Sequence, residues 1–168
     1  GKTIFDAFCC LEPFKVKNST IQWITNSILD KLEILWNSAL RFLSNPEFVE
    51  LITSTANYNN TNIIHKCAMR SNIKVLDFIW TKINNLMGGN QKLIEMVWEK
   101  GLGDKERNAL HLSAFNNIVA FPKQFLTFLY SKMGLTALLA LIKSKDKNEN
   151  RFLHILIFHK RGPTISPV

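Results

Sequence analysis

The sequence predicts an all-α fold, an α-solenoid of about four degenerate helical repeats, and three observations lead to this prediction. A nine-residue pattern occurs four times in 168 residues. Between its copies, apolar residues recur at steps of three and four, which is the spacing of an amphipathic helix. Glycine and proline are few, 7 and 5, which disfavours an all-β fold with many turns. A pattern that recurs at long intervals indicates units that stack on one another.

The recurring pattern places a histidine directly after two apolar residues. Its copies read GKTIFDAFC, NTNIIHKCA, ERNALHLSA and ENRFLHILI and begin at residues 1, 60, 106 and 149. His65, His111 and His154 are separated by 46 and 43 residues, and an aspartate takes the histidine's place in the first copy. Asn62 and Asn108 stand three residues before the histidine, where an asparagine side chain can accept a hydrogen bond from a free N–H and begin a helix.

The first unit is predicted near residues 1–56. It contains the motif copy over Gly1–Leu11 and a loop over Glu12–Thr20, because Pro13 and a polar run interrupt the apolar pattern. One long amphipathic helix, or two in tandem, follows, with the apolar stripe Ile21, Ile24, Ile28, Leu32, Leu35, Trp36, Leu40 and Leu43. Pro46 begins a short helix after Ser44. We expect Phe48, Leu51 and Ile52 to face inward from it.

The second unit is predicted near residues 57–102, with three helices. The first runs over Asn62–Arg70 and the second over Asn72–Leu86, whose stripe is Val75, Leu76, Ile79, Trp80 and Ile83. Gly88 and Gly89 end the second helix. The third, around Leu93, Met96 and Val97, ends near Gly101. The four tryptophans, Trp23, Trp36, Trp80 and Trp98, all lie on apolar stripes and are predicted to be core residues.

The third and fourth units are predicted near residues 103–145 and 146–160, followed by a loose tail over 161–168. A loop or kink is expected over Ile118–Pro122, because proline disfavours a helical conformation at the residue before it. Phe125, Leu126, Phe128, Leu129 and Met133 mark a second helix, and Leu135–Ser144 forms a third after Gly134. The final segment, Phe152–Lys160, is apolar nearly all round, so either other parts of the chain cover it or a longer array or partner continues there.

This motif resembles the ankyrin repeat, in which G-x-T-P-L-H-x-A-A opens the first of two antiparallel helices. The resemblance covers four short segments and most of the chain once the intervening helices are included. The threonine is kept only as Thr3, the proline is absent, and the spacing of 43 to 46 exceeds the period of about 33. A third helix in each unit would account for the difference. The spacing also fits the roughly 40–47 residues of HEAT and armadillo repeats, which stay the structural alternative.

The resemblance implies both structural and binding roles. His65, His111 and His154 match the histidine that bridges turn backbones in ankyrin repeats. Ankyrin arrays bind partner proteins with their turn tips and inner helices. The positions that correspond here are Tyr58, Asn59, Lys66, Met69, Arg70, Asp104, Lys105, Leu112, Phe115, Asn116, Lys147 and Asn148.

Motifs for catalysis or cofactor binding are not found in the sequence. The glycine pairs lack the strand and the Lys-Ser/Thr of a phosphate-binding loop, and no G-x-S-x-G element is present. The histidines lack zinc-ligand spacing. Cys67, two residues after His65, would point away from it on a helix. We therefore expect a non-enzymatic protein that binds no cofactor and no metal.

Charge and cysteine content limit the partners and the compartment. The net charge is +8; residues 1–60 contribute −1 and residues 61–168 contribute +9. Such asymmetry is compatible with an acidic partner, a nucleic acid or an anionic membrane surface, but the lysines are spread among acids without a block of five like charges, which favours a solvated exterior. Three cysteines do not describe a disulfide framework, so we expect a reducing compartment, which is the cytoplasm or, as the alternative, the nucleus. We also expect the chain to be a monomer. No uninterrupted apolar run is long enough for a membrane span. An inhibitor or effector resembling the IκB class of ankyrin proteins is a further hypothesis.

Overall fold

A computed structural model describes residues 18–54, 61–101, 105–115 and 120–160 of the chain. Within these ranges the fold is all-α, with eight helices and no strand, as the sequence predicts. The helices are α1 (Asn18–Ala39), α2 (Asn45–Thr53), α3 (Ile63–Arg70), α4 (Ile73–Met87), α5 (Gln91–Trp98), α6 (Ala109–Ser113), α7 (Phe121–Lys143) and α8 (Phe152–Lys160). The predicted first motif copy and the predicted tail lie outside the described residues.

Polar residues begin the helices where the sequence predicts them. The side-chain oxygen of Asn62 accepts a hydrogen bond from the N–H of His65 at 3.0 Å, which caps α3. Asn72 caps α4 in the same way through Val75, at 3.3 Å. At α2, Pro46 lies in the first turn. Each cap supplies a partner to one of the N–H groups that a helix leaves unpaired at its beginning.

Two glycines end or interrupt helices at predicted positions. Gly88 follows α4 with a φ of 66°, in the left-handed region where a side chain would be strained. Gly134 lies inside α7 with φ 76° and ψ 173°, which are not helical angles. The helix is therefore divided at Gly134 into two segments, and the second segment corresponds to the predicted third helix of this part of the chain.

The core extends through the whole described chain. Trp36 on α1 packs edge-to-face against Phe48 and Phe78, with ring centroids 4.7 and 5.9 Å apart. Trp80 on α4 makes the same kind of contact with Phe128 on α7, at 5.5 Å. The predicted stripe of α4 is completely buried. The core positions of Trp36 and Trp80 are thus confirmed, Trp98 packs partly buried against the core, and the side chain of Trp23 is outside the described part.

Helices that are far apart in the sequence pack against one another. α3 packs against α6, and α6 packs against α8. α1 packs against α4, and α4 reaches α7 through the Trp80–Phe128 contact and through an ion pair of 3.0 Å between Lys132 and Asp77. α5 lies against α3, α4 and α6. Helices that begin with the histidine motif therefore contact one another, and so do the helices that follow them.

The boundaries of α1 and the inward face of α2 differ from the sequence-based predictions. α1 begins at Asn18, inside the predicted loop, and ends at Ala39, so that Leu40 and Leu43 lie in the turn after it. Leu51 is 42% exposed, whereas Val49 is buried beside Phe48 and Ile52. At about 100° per residue, Phe48 and Ile52 lie about 40° apart around the helix, and Val49 and Leu51 lie at equal angles on either side of them. The contact of α2 with α4 therefore decides which of the two is buried.

The predicted loop before the second helix of the third unit also needs correction. Phe121 is helical and α7 begins there, with Pro122 in its first turn. Proline fits this position because the N–H it lacks would have no partner within the helix. Phe121 is 1% exposed and stacks on Phe125 with ring centroids 5.7 Å apart. This packing holds Phe121 in the helix despite the local preference.

Among the described helices, α7 alone is long and apolar enough to cross a membrane, with a mean hydropathy of 1.7. The sequence-based expectation of no span considered only uninterrupted apolar runs, and α7 contains three lysines. Phe125, Leu129 and Leu141 on this helix are completely buried against the rest of the protein. In this structure one side of α7 is thus packed against the protein, and its exposed residues are both apolar and polar.

Candidate interaction site

A buried network of Asn62 and His65 joins the beginning of α3 to the end of α5. The Asn62 side-chain N–H groups donate to the Met96 carbonyl at 2.8 Å and to the Glu99 carboxylate at 2.7 Å. The Asn62 backbone N–H donates to Nδ1 of His65 at 3.2 Å. Because Nδ1 accepts, the proton is on Nε2, which donates to the Glu99 carbonyl at 2.9 Å. Every polar group of this pair is satisfied, and α5 receives partners for carbonyls that its end leaves unpaired.

The imidazole of His65 is held in its neutral form. Burial lowers the pKa of His65 from 6.5 to about 4; the hydrogen bond to the Glu99 carbonyl raises it and the Lys66 ammonium lowers it further. A proton added at Nδ1 would face the backbone N–H of Asn62, and two donors cannot form a hydrogen bond with each other. The network therefore requires a neutral histidine.

Asn108 and His111 form a second network at the beginning of α6, but it is less complete. Asn108 accepts from the N–H of His111 at 3.0 Å and donates to the Ser144 hydroxyl at 2.8 Å. Nε2 of His111 lies 3.2 Å from the Ser144 carbonyl, directly after α7. Nδ1 of His111 is buried without a partner in the described part of the chain. Burial again lowers the pKa of this histidine, opposed by the hydrogen bond to Ser144.

The third motif histidine, His154, does not bridge in the described part of the chain. It is exposed on α8, and its Nδ1 accepts only a long hydrogen bond, 3.4 Å, from the backbone N–H of Arg151. No described helix covers this side of α8, so no carbonyl is placed to accept from Nε2. The predicted structural role of His154 is therefore not observed, in contrast to the buried positions of His65 and His111.

The turns before α6 and α8 contact each other through Arg107 and Asp146. Asp146 is buried and accepts from the N–H groups of Asn148 and Asn150 at 2.9 Å each and from Nε of Arg107 at 3.2 Å. Burial raises the pKa of Asp146, but these hydrogen bonds outweigh it and the pKa lies below its ordinary value. The Arg107 guanidinium also lies over the Phe115 ring, 4.1 Å from its centroid. These contacts fix the two turns side by side.

Sequence reasoning placed neither Asp146 nor Arg107 at a site. An aspartate at the start of a polar run, here Asp146 to Asn150, is typical of a turn in which the carboxylate accepts from the backbone N–H groups that follow it. This local signal could have identified Asp146 as the acceptor in the turn. Arg107 is 39 residues from its partner. A single sequence carries no local signal for such a contact.

The described members of the predicted partner-binding set lie at or near the surface. Met69 is 50% exposed and Arg70 is exposed on α3, while Lys66, Leu112 and Phe115 are half-buried on α3, on α6 and just after α6. Lys105, Lys147 and Asn148 are exposed at the turns. The backbone N–H of Lys147 donates to the Lys105 carbonyl at 3.0 Å, so these two predicted tips adjoin. Tyr58, Asn59, Asp104 and Asn116 lie outside the described residues.

A groove of about 330 Å³ lies beside these residues. It lies between the turns and α8 and is lined by Arg107, Phe115, Asn150, Ile155 and Phe158. Phe115 belongs to the predicted partner-binding set, whereas Phe158 and Arg107 do not. The groove combines two aromatic rings with a cation, a composition common where proteins bind one another.

Chemistry of other kinds finds little support in the residues that the structure describes. No group of three or more His, Cys, Asp or Glu side chains among them could hold a metal ion. Cys67 is buried and forms no disulfide with another described residue. Comparisons with protein-family models, with curated proteins and with solved structures give no match.

Proposed function

We propose that this chain is a non-catalytic protein-interaction module, built as a stack of ankyrin-like helical units and acting in the cytoplasm. The observation that supports the proposal is the pair of asparagine–histidine networks. Each ties a motif helix to a backbone carbonyl 34 or 33 residues further along the chain. The two histidines are 46 residues apart, and similar long-range hydrogen bonds at such an interval are expected in a stack of similar units.

The units would be divided as follows. One consists of α3, α4 and α5, and the next of α6 and the two segments of α7 on either side of Gly134. α1 and α2 would complete a unit whose motif copy precedes them, and α8 would open another. The turns capped by Asn62 and Asn108 before α3 and α6 favour ankyrin-like over HEAT-like or armadillo-like stacking.

The partner would bind across the turns and the adjoining motif helices. Lys105 and Lys147 present two cations side by side, and neither has an ion pair within the described residues. Met69 on α3 and the groove beside Phe115 add apolar surface. A partner with carboxylates next to exposed apolar side chains fits this combination. The contacts of Arg107 with Asp146 and Phe115 hold the turns in place before binding, which reduces the entropy lost on association.

The test is affinity capture with the chain and with the variant Lys105→Glu/Lys147→Glu. A matched control, Lys31→Glu/Arg41→Glu, makes the same change of charge on exposed residues of α1 and the turn after it. We expect one partner protein to be captured by wild type and control and to be lost with the turn variant, also after nuclease treatment. A partner that all three proteins capture equally would contradict the proposed surface.

Nucleic-acid binding through the basic part of the chain is an outcome of the same experiment. Recovery that depends on RNA or DNA, and that decreases steeply with salt, would replace the proposed function. An inhibitor resembling the IκB class is a special case of the proposed function. It would be recognised if the captured protein were a transcription-factor dimer.

A further inference from the structure

Exposed large apolar side chains are concentrated on the last two helices of the described chain. They are Tyr130, Leu135 and Leu139 on α7 and Leu153, Ile157 and Phe158 on α8, each between 44 and 72% exposed. α7 and α8 pack against each other. Apolar side chains that are exposed singly are normal on protein surfaces, but a concentration of six on two adjoining helices is typical of an interaction surface. We call these six residues the apolar face.

The charges on these two helices are all of one sign. α7 and α8 contain four lysines, Lys123, Lys132, Lys143 and Lys160, and no aspartate or glutamate. By contrast, α1, α2, α4 and α5 each contain at least one carboxylate. Lys132 is paired with Asp77, whereas Lys123 and Lys143 are exposed without an ion pair in the part of the chain that the structure describes. The two helices that carry the apolar face therefore contribute charged side chains of positive sign only.

We propose that the apolar face of α7 and α8 binds the surface of an anionic lipid bilayer. Leucine, isoleucine and aromatic side chains enter the boundary between headgroups and acyl chains, and nearby lysines are attracted to anionic headgroups. The binding is peripheral, because Gly134 interrupts α7 and the opposite side of that helix is buried in the protein core. The turns that carry Lys105 and Lys147 are not part of this site, although Phe158 also lines the groove beside Phe115.

Two other occupants fit the same surface less well. A second copy of the chain would bring lysines from both copies together with no carboxylate on either helix, which is unfavourable. Nucleic acid would use the lysines, but stacking on bases requires exposed aromatic rings, and four of the six residues of the apolar face are aliphatic. An anionic bilayer uses both the apolar side chains and the positive charges.

The test is co-sedimentation of the chain with vesicles. One preparation contains phosphatidylserine and phosphatidylcholine in equal parts, and the other contains phosphatidylcholine alone. We expect at least a tenfold preference for the first, decreasing with added salt. Leu135→Gln/Leu139→Gln/Ile157→Gln, which leaves the groove residue Phe158 unchanged, should lower binding about tenfold or more, and Lys123→Glu/Lys143→Glu should remove the preference for phosphatidylserine.

Matched variants separate this surface from the others. Ile34→Gln/Phe42→Gln replaces apolar residues that are 65 and 86% exposed elsewhere, and should bind vesicles as wild type does. The turn variant Lys105→Glu/Lys147→Glu should also retain binding, so that failure of this proposal and failure of the proposed function are distinguished. Circular dichroism checks that each variant is folded.

Equal binding to both kinds of vesicle, no binding to either, or equal loss with the Ile34/Phe42 control would overturn the proposal. A change of oligomeric state in the apolar-face variant, without a change in vesicle binding, would assign the surface to self-association instead and would also overturn it.

Discussion

The two buried asparagine–histidine networks use the same residues in the same order, yet they differ in completeness. His65 uses both ring nitrogens, and Asn62 reaches a carbonyl and a carboxylate. His111 uses one ring nitrogen, and Asn108 reaches a hydroxyl. An unsatisfied buried acceptor costs free energy that a satisfied one does not. We therefore infer that the first network stabilises the fold more than the second, although their sequence motifs look alike.

The comparison also shows that the motif alone does not decide whether its histidine is buried. His154 follows the same two-residue apolar pattern, but it is exposed because no described helix covers its side of α8. His65 and His111 differ from His154 because each lies within hydrogen-bond distance of a distant backbone carbonyl. The carbonyl belongs to Glu99, 34 residues later, for His65 and to Ser144, 33 residues later, for His111.

Removing the histidines tests the comparison with the largest expected effect. His65→Ala leaves the Glu99 carbonyl and the Asn62 N–H unpaired and opens a cavity, so we expect a loss of about 4 kcal/mol in the free energy of unfolding. His111→Ala should lose about 3 kcal/mol, because only the Ser144 carbonyl loses a partner. Exposed His154, replaced by alanine, should change stability by less than about 0.5 kcal/mol. Urea unfolding measures all three, and equal losses for His65 and His111 would remove the distinction between the networks.

Acidification should weaken the first network reversibly. The pKa of His65 is lowered from 6.5 to about 4 in the folded protein. Its contribution to stability is therefore complete above pH 6.5, decreases as the pH falls from 6.5 towards 4, and is lost below about 4. The total change corresponds to about 3 kcal/mol.

The control for acidification is His65→Gln, which cannot titrate and should flatten this part of the pH profile of unfolding. His111→Gln should flatten it in the same direction, because the pKa of His111 is also lowered. A His65→Gln profile as steep as that of wild type would show that other groups cause the pH dependence.

Replacing Asn62 should reduce the stability of the fold more than replacing Asn108, as is expected for the histidines of the same networks. Asn62→Ala removes a helix cap and two further hydrogen bonds, one of them to a carboxylate, and we expect a loss of about 2 kcal/mol. Asn108→Ala should lose about 1 kcal/mol, since the Ser144 hydroxyl keeps its own bond to the Leu141 carbonyl. Thermal and urea unfolding of both variants would check the difference; a larger loss for Asn108 would reverse the comparison.

An effect of about the same size as that of Asn108→Ala should come from the acceptor at Glu99. Glu99→Gln keeps an oxygen for the Asn62 side chain but removes the negative charge, so the hydrogen bond becomes a neutral one and stability decreases by about 1 kcal/mol. Glu95→Gln is a suitable control on the same helix, because Glu95 is exposed. If the two variants are equally stable, the carboxylate at Glu99 does not contribute to the network.

Local features of this fold could be predicted from the sequence, and non-local ones could not. Residues close together in the sequence determine the local features. These are the caps at Asn62 and Asn108, the start of α2 near Pro46, the breaks at Gly88 and Gly134, and the buried stripe of α4. Which carbonyl accepts from His65 depends on the path of the chain 34 residues later, and any residue type supplies a carbonyl. The burial of Val49 rather than Leu51 depends on where α4 lies. The boundary at Phe121 depends on aromatic packing that overrides the effect of Pro122.

The separation between His65 and Glu99 also sets an order of events during protein synthesis. When His65 emerges from the ribosome, its acceptor at Glu99 is still inside, since 34 residues separate the two. At about 5–20 residues per second, the delay is roughly two to seven seconds. Through this interval the nascent segment carries an imidazole and an amide that only water can satisfy. Chaperones that hold emerging chains would encounter it in this form, and the same wait is repeated for His111 until Ser144 appears.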